Sequence, residues 1–335
     1  MNRRQFFKSL LGVTLAGFFA AIYGFIVEPG FRLRVQRWPI SPPLWTAGAL
    51  RIVAIGDIHM GEPYVSLARL RRIVARANAQ SPDLVVLLGD YAAGHPFISA
   101  PVGIDDTAAV LAGLQARLGV FAILGNHDWW DDRAAQMRGG GPNMYAVALE
   151  AAGIPVLSNR ALRLNGFWLA GVDDQLALRQ ANGRVQGLDD LPGTLAQITD
   201  DAPVILLAHE PDIFARKTGR VALQLSGHTH GGQVRMFGWS PVVPSRYGNR
   251  YAYGHVREEE LDLVVTGGIG CSIAPVRFGV PPEITVVDLS QPCRLAFKAA
   301  ATPGTSGTTT NNSRTDAAAK PCATILSTRS ISGCQ

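Results

Sequence analysis

Charged residues and cysteines are both scarce in this 335-residue chain. Only 17% of the residues are charged against 47% hydrophobic, which excludes a chain that is disordered throughout. Four cysteines are too few for a dense disulfide scaffold, and the 36 glycines follow no three-residue period, which excludes a collagen-like chain. What remains is a globular protein, long enough for one large domain with appendages or for two domains.

The net charge of +5 is unevenly distributed along the chain. Residues 1–51 carry seven basic residues and one acidic residue, whereas residues 52–298 carry 21 basic and 24 acidic residues. Surfaces that bind a nucleic-acid backbone are enriched in Lys and Arg. The slight acidic excess of residues 52–298 therefore argues against a nuclease and against any nucleic-acid partner.

The first 30 residues predict a membrane anchor or an export signal. Residues 10–27 form an uncharged apolar run, at the lower limit of length for a helix that spans a bilayer. The sequence NRRQFFK at residues 2–8 resembles the signal read by the twin-arginine export machinery. Because no A-x-A cleavage pattern follows, we favour an uncleaved anchor, with residues 31–48 as a proline-containing linker. The alternative is a buried core helix at the start of the chain.

Short apolar runs alternate with amphipathic stretches in residues 49–298, the predicted catalytic domain. The runs RIVAIGD, LVVLLGD, VFAILGN and PVILLAH predict buried strands, and the spacing of apolar residues predicts helices over 65–79 and 106–118. This alternation implies an α/β fold with a partly parallel sheet. Beyond residue 158, closely spaced runs with Gly-rich breaks indicate a second, more antiparallel sheet. Residues 299–335 are polar and of low complexity, as is typical of a disordered tail.

Polar clusters follow the predicted strands and contain five of the seven histidines. The clusters are GDIH at 56–59, GDY at 89–91, GNHD at 125–128, AHE at 208–210 and GHTH at 227–230. Strands of open α/β sheets end at ligand crevices, and side chains at i and i+2 of a strand share a face, so we expect these side chains to converge. Carboxylate, imidazole and amide groups suit Mn, Fe, Zn or a similar divalent ion, and their number exceeds the needs of one ion. The alternative is that each His only caps the end of its strand. This would explain a single cluster, but it does not explain why five clusters follow the strands in the same way.

In this order the clusters resemble the motifs of the calcineurin-like metallophosphoesterases over residues 51–294. The resemblance implies two divalent cations, the first held by Asp57, His59, Asp90 and His230 and the second by Asp90, Asn126, His209 and His228. It also implies that His127 stays off the cations and protonates the leaving oxygen, with Asp128 beside it to orient or polarise the imidazole.

The resemblance further implies a fold and a reaction. The fold is a four-layer αββα sandwich of two mixed sheets flanked by helices, here preceded by the N-terminal helix. The reaction is phosphoester hydrolysis, in which a hydroxide that bridges the two cations attacks phosphorus with no covalent enzyme intermediate. The sequences GNHDWW, HEPD and GHTHGGQ, together with the N-terminal segment, are similar to bacterial YkuE- and YaeI-type phosphodiesterases, which are membrane-anchored or exported by the twin-arginine route.

Several functions remain open at this stage. An exported phosphodiesterase would face the periplasm or the cell exterior, whereas a hydrolase similar to UDP-2,3-diacylglucosamine pyrophosphatases of lipid A synthesis would lie on the cytoplasmic face of the inner membrane. Charge leaves the orientation undecided, because basic residues flank both ends of the apolar run. Both hypotheses are compatible with a lipid- or cell-envelope-linked phosphoester. A non-catalytic metal-binding scaffold is expected to lack His127 or a bridging ligand, and neither is missing.

Three further residues have two interpretations each. Trp129 and Trp130 either form a lip over the substrate or pack in the core. Arg277 either meets a substrate phosphate or makes a structural salt bridge.

Three cysteines lie at or beyond the end of the predicted domain, namely Cys293, Cys322 and Cys334. Outside the cytoplasm, Cys293 and Cys322 could form a disulfide, but nothing in the sequence requires it.

Overall fold

A computed structural model describes residues 2–292 of the chain. The strands in this range are β1 (Arg34–Ile40), β2 (Leu50–Ile55), β3 (Leu84–Leu87), β4 (Val120–Ala122), β5 (Arg160–Arg163), β6 (Trp168–Gly171), β7 (Leu178–Arg179), β8 (Val185–Gln186), β9 (Val204–Leu207), β10 (Val221–Ser226), β11 (Gly254–Glu258), β12 (Leu261–Val265) and β13 (Glu283–Leu289). The α-helices are α1 (Arg3–Ile22), α2 (Glu28–Phe31), α3 (Leu67–Asn78), α4 (Ile104–Leu111), α5 (Asn126–Asp131), α6 (Arg133–Arg138), α7 (Met144–Ala151) and α8 (Leu191–Ala196). The predicted tail and Cys293, Cys322 and Cys334 lie outside the described residues.

Two mixed sheets form the centre of the domain. The first has the order β1-β13-β2-β3-β4, and the second has the order β11-β12-β10-β9-β6-β5. In the first sheet only the β13 and β2 pair is antiparallel, and in the second only the edge strands β11 and β5 run against their neighbours. The prediction of two mixed sheets is confirmed. The second sheet is nevertheless less antiparallel than expected, because its four central strands are all parallel.

Strand alternation separates the core into layers. In β2, Val53 and Ile55 face the helices α3, α4 and α7, whereas Ile52 and Ala54 face the second sheet. Strand β9 shows the same alternation. Ile205 faces the first sheet, and Leu206 faces the layer that contains α8. The resulting order is helix, sheet, sheet, helix, which is the predicted αββα sandwich.

Helix α3 shows how the sequence sets these layers. The Ser66 side chain caps the helix by accepting a hydrogen bond from the Arg69 backbone N–H at 3.1 Å. Leu70, Ile73 and Ala77 recur at helical spacing and are buried against the first sheet. The second predicted helix is shorter than expected: α4 ends at Leu111 because the chain turns at Gly113 toward β4.

The N-terminal segment is a continuous helical stretch over Arg3–Phe31, long and apolar enough to cross a membrane. Its side chains are exposed through α1, and a π-helical turn at Tyr23–Val27 joins α1 to α2. The predicted linker at residues 31–48 differs from expectation, since β1 occupies Arg34–Ile40 and pairs with β13 in parallel register. Proline is tolerated at Pro39 because β1 is an edge strand.

Candidate metal centre

All seven predicted metal ligands lie where strands of the two sheets end at one edge of the sandwich. Asp57 and His59 follow β2, Asp90 follows β3, Asn126 begins α5 after β4, His209 follows β9, and His228 and His230 follow β10. Six of the seven side chains are buried, and His228 is partly exposed. The parallel strands β2, β3, β9 and β10 thus carry their polar ends to a common site.

The ligand residues converge through backbone conformation, which differs from the expected strand alternation. Five of them adopt left-handed φ angles between 46° and 68°, namely Asp57, His59, Asp90, His228 and His230. A non-glycine residue in this region costs about 1–3 kcal/mol and persists only where its surroundings hold it. Here Asp57 donates its N–H to the Gly89 carbonyl and His59 to the Asp90 carbonyl, each at 3.0 Å. Tight turns immediately beyond the strands therefore aim the ligands.

One group of ligands consists of Asp57, His59 and His230, whose ligand atoms lie within 4.8 Å of one another. The Nε2 atoms of His59 and His230 are 3.1 Å apart, and His230 Nε2 lies 3.6 Å from Asp57 Oδ1. Oδ2 of Asp90 lies 3.5 Å from His59 Nε2 at the border of this group.

The other group is arranged around His209. Its Nε2 lies 3.3 Å from the same Oδ2 of Asp90, and His228 Nδ1 lies 2.9 Å from Asn126 Oδ1. Asp90 therefore stands between the two groups, within reach of both. This is the position that a bridging carboxylate needs.

The backbone fixes which ring nitrogen faces the centre. Nδ1 of His59 lies 2.8 Å from the Ala92 carbonyl oxygen, and Nδ1 of His209 lies 2.7 Å from that of Leu88. A proton on each Nδ1 satisfies these carbonyls and leaves Nε2 free as a ligand, an arrangement that is usual for metal-binding histidines.

Buried groups without partners show that the residues fit a divalent cation. Within residues 2–292, Asp57 Oδ2 and His209 Nε2 are fully buried and have no hydrogen-bond partner. Burial, reinforced by the Asp90 charge, raises the pKa of the Asp57 carboxyl, while burial lowers the pKa of His59 to about 3. Imidazoles and carboxylates crowded together in a buried site form a donor set that a divalent cation would stabilise. A Cβ at Gly125 would lie 2.7 Å from Cε1 of His209, so only glycine fits beside the centre.

His127 and Asp128 have different surroundings. His127 is partly exposed, its Nε2 lies 3.3 Å from Ser272 Oγ, and burial lowers its pKa. Asp128 is fully buried, and its carboxylate accepts backbone N–H bonds from Asp90, Tyr91 and Ala92 at 2.7–3.0 Å, and from Gly125 at 2.9 Å. The expectation was that Asp128 orients or polarises the His127 imidazole. In the structure the Asp128 oxygens are engaged by the backbone turns that carry Asp90 and Gly125.

A cavity of about 540 Å³ opens beside the centre and is lined by Asp90, Asn126, His127 and His228. The two tryptophans have different positions. Trp129 packs in the core, with its Nε1 donating to Asp173, whereas Trp130 lines the cavity, where a lip over the substrate was expected. The Arg179 guanidinium lies 3.7 Å from the centroid of the Trp130 ring, a cation–π contact.

Arg277 does not reach this cavity. It is fully buried and donates from Nε to the Gly270 carbonyl and from Nη1 to the Val280 carbonyl, both at 2.9 Å. Its Nη2 lies 3.2 Å from Nδ1 of His230. Arg277 thus supports the ligand loop, and the interpretation as a phosphate contact is not what the structure shows.

Three residues near the centre were not assigned from the sequence. Ser272 approaches His127, Arg179 stacks on Trp130, and Gln233 clamps the 272–274 loop by accepting from the Ser272 N–H at 2.6 Å and donating to the Ala274 carbonyl at 3.1 Å. The Gln that ends GHTHGGQ was the only available signal, since contacts across distant loops leave no local pattern.

Comparison with known proteins shows to which protein family this chain belongs. The profile of the calcineurin-like phosphoesterases matches residues 50–232. The chain is 32% identical over 302 residues to the uncharacterized metallophosphoesterase YkuE of Bacillus subtilis, covering 86% of this chain and 98% of that protein. It is 30% identical to a Danio rerio transmembrane protein with metallophosphoesterase domain, covering 81% and 60% of the two chains, and 29% identical to an Aquifex aeolicus metallophosphoesterase, covering 77% and 92%. With more than half of its length matched by the profile, and an Asp and His cluster at the matched strand ends, this chain belongs to the calcineurin-like phosphoesterase family.

Proposed function

We propose that this protein is a membrane-anchored phosphodiesterase that uses two divalent cations. The observation that carries the proposal is the position of Asp90 between two groups of buried ligands, with the cavity directly beside it. Family membership supports a phosphoester hydrolase. The resemblance of GNHDWW, HEPD and GHTHGGQ to YkuE- and YaeI-type phosphodiesterases supports a diester substrate.

The cation sites follow from the two ligand groups. Asp57, His59 and His230 would hold the first cation, and Asn126, His209 and His228 would hold the second, with Asp90 shared. When bound, such cations neutralise the phosphoryl charge and lower the pKa of an attacking water.

His127 is proposed as the general acid. Its imidazole borders the cavity, and Ser272 Oγ lies 3.3 Å from its Nε2. A ligand atom of His127 also lies within 4.8 Å of ligand atoms of His59 and Asp90, but His127 is kept outside the two proposed ligand sets. A proton held at Nε2 can pass to the leaving oxygen of a phosphoester bound in the cavity. Asp128 acts through the backbone, since it holds the turns that carry Asp90 and Gly125.

The anchor and its direction complete the proposal. The apolar stretch Arg3–Phe31 is proposed to span the membrane, and the twin-arginine resemblance supports a domain outside the cytoplasm. Protease added to spheroplasts of cells that express the full chain with a C-terminal epitope tag is expected to digest the domain, while a cytosolic marker protein stays intact. A domain that is digested only after the spheroplasts are lysed would lie on the cytoplasmic face instead.

The activity itself is tested with the purified full chain in detergent. After chelation and dialysis, we expect no hydrolysis of bis(p-nitrophenyl) phosphate, and Mn²⁺ or Zn²⁺ should restore it with two ions bound per chain. p-Nitrophenyl phosphate measures the monoester preference in parallel. Two bound ions without hydrolysis of either ester would indicate a scaffold, and a single bound ion would contradict the bridging role of Asp90.

A further inference from the structure

A tight hairpin beside the cavity exposes apolar side chains to solvent. Met236 and Trp239 exchange backbone hydrogen bonds at 2.9 and 3.0 Å, and Phe237 and Gly238 form the tip with φ angles of 52° and 80°. Phe237 is fully exposed and Trp239 is 59% exposed. A large aromatic residue in a left-handed conformation at a fully exposed tip gains nothing from the fold itself. The hairpin is therefore suited to burial against something outside this chain.

The hairpin is continuous with the wall of the cavity. Val234 and Val242, which flank it in sequence, both line the cavity, as does Ile273 on the opposite loop. Ile273 is 75% exposed, so the apolar surface extends from the hairpin tip across the cavity mouth. A substrate that enters the cavity passes over this surface.

The same hairpin is tied to the end of the N-terminal helical stretch. Arg235 donates its N–H to the Phe278 carbonyl at 2.8 Å, and the neighbouring Arg277 donates its N–H to the Gly24 carbonyl at 2.8 Å. The rings of Tyr23 and Phe278 meet edge to face with their centroids 5.8 Å apart. The helix end at residues 23–31, the 276–279 loop and the hairpin are therefore connected through these contacts, although they lie far apart in the sequence.

Exposed apolar side chains continue along that helix end. Phe25, Ile26 and Phe31 are exposed there, and Arg32 follows them. Aromatic residues next to basic ones at the end of an apolar helix are typical of the interface between lipid tails and headgroups. If the helix crosses a bilayer, the hairpin lies at the depth where such residues are stabilised.

We propose that the hairpin Met236–Trp239 inserts into the membrane interface and that the substrate is a phosphodiester in the headgroup of a membrane lipid. This inference rests on the proposed hydrolase function and names its substrate class. The apolar cavity mouth would receive the lipid from the bilayer without a passage through water, and the cation centre would meet the headgroup phosphate at the cavity floor.

Two substrates that differ only in their alkyl chain test the inference. The full chain is placed in nanodiscs of phosphatidylcholine and phosphatidylglycerol with Mn²⁺, and kcat/KM is measured for hexadecyl and ethyl p-nitrophenyl phosphate. We expect a preference of at least about tenfold for the hexadecyl ester, as expected for burial of one large apolar side chain or its equivalent. The double variant Phe237→Ser/Trp239→Ser should lose this preference and keep its rate on the ethyl ester.

The control variant carries Met137→Ser and Val147→Ser, two exposed apolar residues on helices α6 and α7, away from the cavity lining. It should behave like the original protein on both esters. Equal kcat/KM for the two esters, or an unchanged hexadecyl rate in the hairpin variant, would overturn the lipid inference and leave the hydrolase proposal intact. Hydrolysis of neither ester would overturn both.

A second measurement reports insertion without activity. Brominated phosphatidylcholine in the nanodiscs should quench part of the tryptophan fluorescence of the original protein, and Trp239→Phe should remove that part. Identical quenching of the two proteins would show that Trp239 stays in water or contacts a protein partner, and either result overturns the proposal.

Discussion

The Asp128 carboxylate accepts a hydrogen bond from the backbone N–H of Asp90, with Oδ2 and N separated by 2.9 Å. Further N–H groups of the two turns that flank the centre donate to the same carboxylate. One buried acid therefore fixes the position of the proposed bridging ligand relative to α5. Asp90 is proposed to hold a cation, whereas Asp128 positions Asp90 through the backbone.

Asp128→Asn tests this positioning role. The amide keeps the volume but replaces one acceptor oxygen with a donor, so the free energy of unfolding should fall by about 1–3 kcal/mol through unpaired buried N–H groups. Metal affinity should fall with it, while the pH dependence of the remaining activity keeps its shape. Chemical unfolding, metal titration and a pH–rate profile measure the three effects. The exposed Asp106→Asn is the control. A change confined to the alkaline limb of the pH–rate profile, where the general acid loses its proton, would return Asp128 to a role at the His127 imidazole.

Asp90→Ala should remove both cations. The Asp90 carboxylate is the only one within 3.5 Å of both His59 Nε2 and His209 Nε2 among the described residues, so its loss weakens both sites. Elemental analysis after dialysis should find well under one ion per chain, and hydrolysis should be abolished. A variant that retains two ions would contradict the bridging assignment.

His127→Ala should keep both cations, because His127 belongs to neither proposed ligand set. Loss of a general acid typically costs about 10²–10⁴-fold in rate, and the cost shrinks when the leaving group needs no proton. We therefore expect a large loss on an alkyl diester and a small one on a p-nitrophenyl diester. Equal losses on the two substrates would show that His127 binds the phosphate and does not donate a proton.

Arg277→Lys should destabilise the fold and spare substrate binding. Lysine cannot reach the Gly270 and Val280 carbonyls together, so the free energy of unfolding should fall by about 2–4 kcal/mol. Arg179→Lys, on the cavity wall, should instead raise KM with little change in stability. A raised KM at unchanged stability in Arg277→Lys would restore its interpretation as a phosphate contact.

The convergence of the seven candidate ligands at one edge of the sandwich was predictable because its signals are local. Each cluster couples a glycine with an acid, amide or imidazole directly after an apolar run, and the chain order of the clusters matches one family. The sandwich followed from the same runs, since buried strands that alternate with amphipathic helices pack in few ways.

Other features depend on pairing over long distances in the sequence. Strand β1 pairs with β13 across about 250 residues, and nothing in RVQRWPI distinguishes a parallel edge strand from an extended linker. The left-handed turns at the ligands were missed for another reason: Asp57 and His59 continue the polar pattern of a strand end, while the bonds that bend them come from Gly89 and Asp90. The role of Asp128 was likewise invisible, because its partners are backbone groups.

The join between helix and domain has a consequence for how this protein meets its substrate. Helix α2 ends at Phe31 and β1 begins at Arg34, so the two residues between them reach only about 7 Å. A domain held this closely cannot tumble independently of a helix fixed in a bilayer. The domain and a membrane-lipid substrate would then meet by diffusion in the plane of the bilayer, so the rate would depend on the surface density of the lipid and not on its bulk concentration. A longer connection between α2 and β1 would slow hydrolysis even with every catalytic atom in place.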